Sequence, residues 1–412
     1  MNSSNRISAS VEIERPLIKT IGAWKIPLAA WMVTAVFILS NSATPLYVSW
    51  QKELAFSSGT LSVIFAAYIA GLLIALLVAG QLSDRWGRKP ILVPGILVAM
   101  SACMLFAAAT SISVLILARF LTGVAVGTIV SAGMAMVVDV GGAARKRQAS
   151  LAASVAMVLG AGLGPMLSGL TATLTKSPII IVFSVEFILL STALLILVLM
   201  PLPSLHHTRE ELREVRLRLP SVKREHRRDI FLGIAVFGPG ITATSFVLSL
   251  GPSLLSGLLH VQSPLISGGA ACLMFFTAAG VQFAVKRLSI RTIFLFGLAG
   301  TGLSMIAMGV AVYESIASLL ILAALMAGVG QGLGQLAGLT LIATKIENKH
   351  RAKANSLLNI GGYIPAGILP VATGYLIDVT GLAAGAVLFT LLMFTVAAFA
   401  SFYVATTLPK IH

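Results

Sequence analysis

The sequence predicts an all-α polytopic membrane protein of twelve transmembrane helices in two related six-helix halves. Three observations predict it. Of the 412 residues, 57% are hydrophobic and 10% charged, against about 25% charged in a soluble domain. The apolar residues gather in twelve continuous runs of about 20 residues, long enough to cross a bilayer as helices, without the strict alternation of barrel strands. One long polar segment, 202–229, leaves six runs on each side.

In chain order the runs cover 27–49, 60–80, 91–109, 112–138, 149–173 and 179–201, then 230–255, 264–285, 292–313, 316–342, 355–377 and 382–407. Residues 1–25 contain Glu12 and Glu14 and no compact apolar core with a cleavage-like end. They read as a cytoplasmic tail, not a signal peptide. The predicted organisation is this tail, a first half over 26–201, a linker over 202–229, a second half over 230–407 and a short tail over 408–412. The linker carries eight bases between Arg209 and Arg228, interleaved with Glu210, Glu211, Glu214, Glu225 and Asp229. That mixture predicts a helix lying on the inner membrane surface, drawn to anionic lipid; a partner site is the alternative.

The formal charge of +15 reports orientation. With both termini on one side, that side collects Lys25, Arg85, Arg88, Lys89, Arg145, Lys146, Arg147, the linker bases, Lys345, Lys349, Arg351 and Lys353. The other keeps only Lys52 and Lys176. The positive-inside rule then puts both termini and the 80–90 turn in the cytoplasm, and no nucleic-acid partner is implied. Cys103 and Cys272 fall inside runs and read as packing residues. The chain lacks a phosphate-binding loop, a metal-ligand cluster and a nucleophile triad, so ATP-driven pumping, a metal site, a cofactor and enzymatic chemistry all lack their residues.

The halves repeat at an offset of about 205 residues. Leu117-Ala118-Arg119-Phe120-Leu121-Thr122-Gly123 matches Leu322-Ala323-Ala324-Leu325-Met326-Ala327-Gly328, and Pro165 and Gly169 match Pro370 and Gly374. Six spans per unit keep both copies in one orientation, the parallel-repeat design of secondary transporters. Between spans 2 and 3 the chain reads Gly80-Gln81-Leu82-Ser83-Asp84-Arg85-Trp86-Gly87-Arg88-Lys89. Gly80 and Gly87 allow close helix approach and a sharp reversal, and Asp84 suits a helix N-terminus, where the macrodipole favours an anion. The equivalent turn, Gly280 to Arg291, lacks the acid and the inner glycine.

Twelve spans, the six-plus-six repeat and G-x-L-S-D-R-x-G-R-K resemble the major facilitator superfamily, over essentially the whole chain from about residue 25. The resemblance implies that fold, transport by alternating access, and a gating latch. Asp84 would meet the start of span 11 near Asn355 and Ser356, while Arg85 and Arg88 pair with Asp139 at the inner end of span 4. The latch forms in the outward-facing state and breaks in the inward-facing one; simple topology anchoring is the alternative. Span 5 contains Gly160-Ala161-Gly162-Leu163-Gly164-Pro165-Met166-Leu167-Ser168-Gly169. Pro165 removes the amide that would bond the Ala161 carbonyl, which predicts a kink, and the glycines let a neighbour pack closely. This run is similar to the antiporter motif of drug-exporting members, with Ser168 replacing one glycine. A generic packing seam is the alternative.

Charges inside spans are costly and mark function; Arg119 and Glu186 are the clear cases. Arg119 opens R-x-x-T-G, which resembles the family's span-4 motif linked to proton coupling, although Thr122 stands where glutamine is usual. A helix-clamping Arg bonded to backbone carbonyls is the other reading. Glu186 lies about 10 Å deep at 1.5 Å per residue, where burial favours the neutral carboxyl. It is a candidate proton carrier or counter-charge, or else a protonated Glu bonded to a neighbouring helix; Asp139 is the second candidate carrier. Many family exporters place an acid in span 1, where this chain reads Ser40-Asn41-Ser42-Ala43-Thr44-Pro45 and has none. Asn41, Thr44, Tyr68, Gln282, Gln331, Gln335, Asn359 and Tyr363 are candidate cavity residues, the last four as two pairs four apart on one helical face. Interhelical bonding is their alternative role.

These features together predict a monomeric, proton-coupled exporter of small amphipathic organic compounds in a bacterial inner membrane. An uptake symporter for an organic acid or sugar-like metabolite, with Arg119 holding a carboxylate, is the alternative within transport. A transporter-like sensor that moves nothing is the alternative outside it.

Overall fold

The computed structural model describes residues 24–201, 224–285 and 287–408. Nearly all of both tails and most of the 202–229 linker lie outside these residues. Among the described residues, twelve helices are long and apolar enough to cross a membrane, and each predicted run falls on one of them. Spans 1–6 are Lys25–Leu54, Ser58–Trp86, Lys89–Ala107, Ile112–Gly142, Ala144–Leu174 and Pro178–Leu199; spans 7–12 are Arg227–Gly257, Pro264–Ala284, Ile290–Tyr313, Ala317–Lys345, Lys353–Thr380 and Leu382–Thr407. The face holding the 83–90 turn is called the turn face below, and its opposite the far face.

Local chemistry fixes the span ends. The hydroxyls of Ser57, Ser111, Ser263 and Ser289 accept from the amides of Thr60, Val114, Ile266 and Thr292, capping spans 2, 4, 8 and 9. Gly87 reverses the chain between spans 2 and 3 at φ +91°, and Gly142 does so between spans 4 and 5 at φ +59°. Span 5 keeps helical dihedrals through Pro165; the departures in this stretch are at Gly142 and Arg145. A proline's fixed φ of about −65° is itself helical, so the lost amide alone does not unwind the turn.

The sequence repeat becomes a repeat of contacts. A β-carbon on Gly123 would overlap the Tyr68 carbonyl of span 2, and one on Gly328 would overlap the Met274 carbonyl of span 8. Gly169 abuts Pro264 and Leu265 at the start of span 8, as Gly374 abuts Ser58 and Gly59 at the start of span 2. Lys89 Nζ donates to the Val198 carbonyl at the end of span 6, and Arg291 Nη2 to the Ala405 carbonyl at the end of span 12, both at 2.9 Å. In each half, a base near the start of the third span thus serves an orphan carbonyl at the negative end of the sixth.

Gly80 departs from expectation. An added β-carbon there meets Ser131 Cβ at 3.6 Å, an ordinary contact, so the close approach of spans 2 and 4 lies at Gly71, Gly123 and Gly127 instead. Gly123→Ala is expected to destabilise the protein by about 1–3 kcal/mol through overpacking, whereas Gly80→Ala leaves stability within about 0.5 kcal/mol. Thermal unfolding of both variants in detergent checks the contrast.

Candidate functional site: a neutral cavity beside two buried charges

A cavity lies between the halves in two lobes of about 120 and 610 Å³ that share Phe37, Tyr68, Gln282, Gln335 and Tyr363. Asn41 and Gln331 line the smaller lobe; Asn359 lines the larger, which reaches Asn355 near the turn-face end of span 11 and Ser154 further along span 5. Seven of the eight candidate cavity residues therefore share one space. Thr44 does not. The span-1 helix gives way after Ser42 to a tighter turn over Thr44–Leu46, which places Thr44 in a separate small recess with Val247 and Ala324. The change of helical pitch at Ala43-Thr44-Pro45 removes Thr44 from the face that carries Asn41.

Three consecutive residues of span 1 connect this cavity to the two buried charges. The Ser40 carbonyl accepts from Arg119 Nη1 at 2.8 Å. Asn41 faces the cavity and donates through Nδ2 to Ser40 Oγ at 2.9 Å. Ser42 Oγ lies 2.5 Å from Glu186 Oε1 and 2.7 Å from the Ile38 carbonyl. A hydroxyl has one proton to donate. With a proton on Glu186, that acid donates to Ser42 and Ser42 donates to Ile38. Without it, Ser42 turns its proton to the carboxylate and releases the carbonyl. The protonation state of Glu186 is thereby written into the hydrogen bonding of span 1.

Arg119 is fully buried and has no ion-pair partner among the described residues. Nε donates to the Tyr47 hydroxyl, and the guanidinium lies 4.9, 5.8 and 5.9 Å from the ring centres of Tyr47, Phe65 and Phe106. Phe106 stacks on Phe183 at 4.7 Å, and Trp50 packs on both. Aromatic faces and a carbonyl replace a counter-ion, which clamps span 4 to span 1 and keeps Arg119 out of the cavity lining. Arg119 and Glu186 do not bond to each other: Arg119 meets Tyr47 and the Ser40 carbonyl, and Glu186 meets Ser42.

On the span-5 motif, Gly160 abuts Thr34 and Phe37 and Gly164 abuts Ile38 and Ser42, all on span 1. The Pro165 carbonyl and Gly169 face span 8, at Gly268 and Pro264. The motif helix therefore sits between the span carrying the Glu186 contact and the opposite half.

The two ends of the molecule differ. On the turn face, Arg88 Nε donates to Asp139 Oδ2 at 3.0 Å and Arg88 Nη1 to Asp84 Oδ1 at 2.7 Å. Arg85 takes no part: its Nε is buried without a partner and its guanidinium lies 6.0 Å from the Trp86 ring centre. Arg88, past the Gly87 reversal, is the base that reaches Asp139 of span 4. Asp84 is largely exposed and makes no bond to Asn355 or Ser356. On the far face, Asp378 of span 11 accepts from the amides of Ser58 and Gly59 at 2.9 and 3.0 Å, capping span 2 across the halves. Ser253 Oγ of span 7 donates to Gln51 Oε1 of span 1 at 3.3 Å. Asp378 escapes sequence reasoning because its partners are backbone amides 320 and 319 residues away; an acid near the end of an apolar run is the one available signal.

Residues 29–289 and 281–412 match the model of the Major Facilitator Superfamily. The chain belongs to that family. It is 32% identical over 117 residues to an uncharacterized transporter of Rickettsia felis, covering 27% of this chain and 28% of that one. It is 41% identical over 71 residues to the multidrug resistance protein MdtL of Salmonella schwarzengrund, covering 17% and 18%. These matches span less than a third of either relative. Among solved structures, a D-xylose–proton symporter superposes with TM-score 0.73 at 15% identity, covering 94% and 98% of the chains. The nucleoside transporter NupG superposes with TM-score 0.71 at 12% identity, covering 93% and 100%. Such distant likenesses establish the shared fold.

Proposed function

We propose that the protein is a proton-coupled exporter of small amphipathic organic compounds, working by alternating access between the two halves. The observation that carries this reading is Glu186: a fully buried acid whose proton decides the hydrogen bonding of the span that lines the cavity. The span-5 motif, packed against that same stretch of span 1, and the local likeness to MdtL support export. With the turn face in the cytoplasm, the Asp378 cap, the cavity reaching Asn355 and an Asp84 that makes no bond to Asn355 or Ser356 support an inward-facing reading. The Arg88–Asp139 pair lies within one half and is formed here as well, so that pair does not mark the outward-facing state. Uptake of an organic acid held by Arg119 finds no support, because Arg119 is walled off by aromatic rings.

Inside-out membrane vesicles test the direction. Acidifying their lumen should drive substrate from the medium into the vesicles, several-fold above vesicles lacking the protein. Release of preloaded substrate under that gradient would instead identify an importer, and no movement in either sense would identify a non-transporting relative.

A further inference from the structure

The cavity's chemistry specifies its cargo more narrowly than "amphipathic". Among the described residues, no Asp, Glu, Lys, Arg or His lines either lobe. Its polar groups are neutral amides and hydroxyls that both donate and accept, chiefly Gln282, Gln331, Gln335, Asn359, Tyr68 and Tyr363. These six make no side-chain hydrogen bonds to other described residues, and Gln331 Oε1 is buried with no partner. The remaining wall is mostly apolar and aromatic, with Phe37 and Phe65, and adds the neutral side chains of Asn41, Thr244, Ser245 and Asn355. The two mid-membrane charges are withdrawn from it: Arg119 and Glu186 are each fully buried and neither contributes to the lining.

An ion moved into such a space loses its hydration and finds no opposite charge in the wall to pair with, a cost of several kcal/mol or more; the Arg119 guanidinium stands behind Phe65, 5.8 Å from its ring centre, out of contact range. A neutral molecule with both donors and acceptors meets unengaged amides and a flat apolar wall, the usual make-up of a small-molecule site, and 610 Å³ is of drug-binding size. We propose that the site selects uncharged, hydrogen-bonding aromatic compounds and discriminates against both cations and anions. The choice of Glu186 as proton carrier fits this: an acid held outside the cavity couples protons without acting as a counter-charge. This inference rests on the exporter reading for its biological sense, but its test does not depend on direction or coupling.

The test is equilibrium binding to the purified full-length protein in detergent, by calorimetry, of three probes on one ring system: 2-naphthamide, 2-naphthylmethylammonium and 2-naphthoate. The amide is expected to bind at least tenfold more tightly than either ion. Gln331→Glu, nearly isosteric, should weaken amide binding and raise ammonium affinity at least tenfold, reversing the order. Gln335→Glu, on the same helical face, gives the same readout should the first variant fold poorly. Either ion matching the amide on the wild type overturns the proposal, as does the absence of binding by all three. Preferential ammonium binding that disappears in Glu186→Gln also overturns it, by making Glu186 a counter-charge. A transporter that binds the amide selectively yet ignores a pH gradient would sink the coupled-exporter reading and leave this one standing.

Discussion

Glu186→Gln is expected to abolish the response of transport to a pH gradient while leaving the fold intact. The amide is close in size to the acid, and its nitrogen or oxygen still meets Ser42 Oγ, so the 2.5 Å contact keeps a hydrogen-bonded form. What disappears is the removable proton, and with it the alternation of Ser42 between Ile38 and the carboxylate. In liposomes, each pH unit is worth about 1.4 kcal/mol per proton, about a tenfold substrate ratio for a one-for-one exchange. Wild-type protein should approach that ratio; the variant should equilibrate substrate to a ratio of one. Exchange of labelled for unlabelled substrate across the membrane should persist in the variant, because it needs no net proton movement. A variant that still concentrates substrate under the gradient would remove Glu186 from the coupling role and leave Asp139 as the remaining carboxyl candidate. The position of Asp139 argues against it: it is exposed at the turn face beside Arg88 at 3.0 Å and lines neither lobe of the cavity.

The spans were legible because each is a long apolar run bounded by charge, and a buried segment in lipid has one economical backbone solution, the helix. The halves were legible for a physical reason as well. Gly123 and Gly328 recur because each lets a backbone approach another helix's carbonyl, at Tyr68 and Met274, and only glycine tolerates that. The cavity residues were legible from polarity within spans, since an amide facing lipid is costly. That argument picks out Gln331, Gln335, Asn359 and Tyr363, which line the cavity, but it says nothing of local pitch, and Thr44, after the turn at Ala43, lies in a separate recess. It also treats polarity at Arg85 and Arg88 as equal, although the reversal at Gly87 sends just one of them to Asp139. Contacts between a side chain and a distant backbone amide leave no pattern in sequence at all, and the far-face cap is of that kind.

That cap is the subject of the second large effect. Asp378→Asn should shift the conformational equilibrium away from the far-face-closed state. The carboxylate accepts two amides at the N-terminus of span 2 and places its charge on the positive end of that helix. Asparagine keeps one acceptor oxygen and loses the charge. Because Asp378 is exposed, the loss is about 1 kcal/mol, roughly a fivefold change in population. The equivalent interface in the repeat, where Gly169 meets Pro264, offers no substitute: the residue matching Asp378 at the 205 offset is Thr173, and the span it faces starts with a proline that has no amide to donate. Spin labels on cysteines at Lys176 and Glu314, one exposed far-face position in each half, report the closure as a distance distribution; the native Cys103 and Cys272 are buried and take up little label. Asp378→Asn should broaden this distribution towards longer distances. Asp84→Asn should act in the opposite sense, because Asp84, here bonded within its own half to Arg88, would cap the start of span 11 in the other state. The double variant should then return near the wild-type distribution. If Asp378→Asn leaves the distances unchanged, apolar packing alone closes the far face, and the two acids are not opposed caps on the two ends of one helix pair.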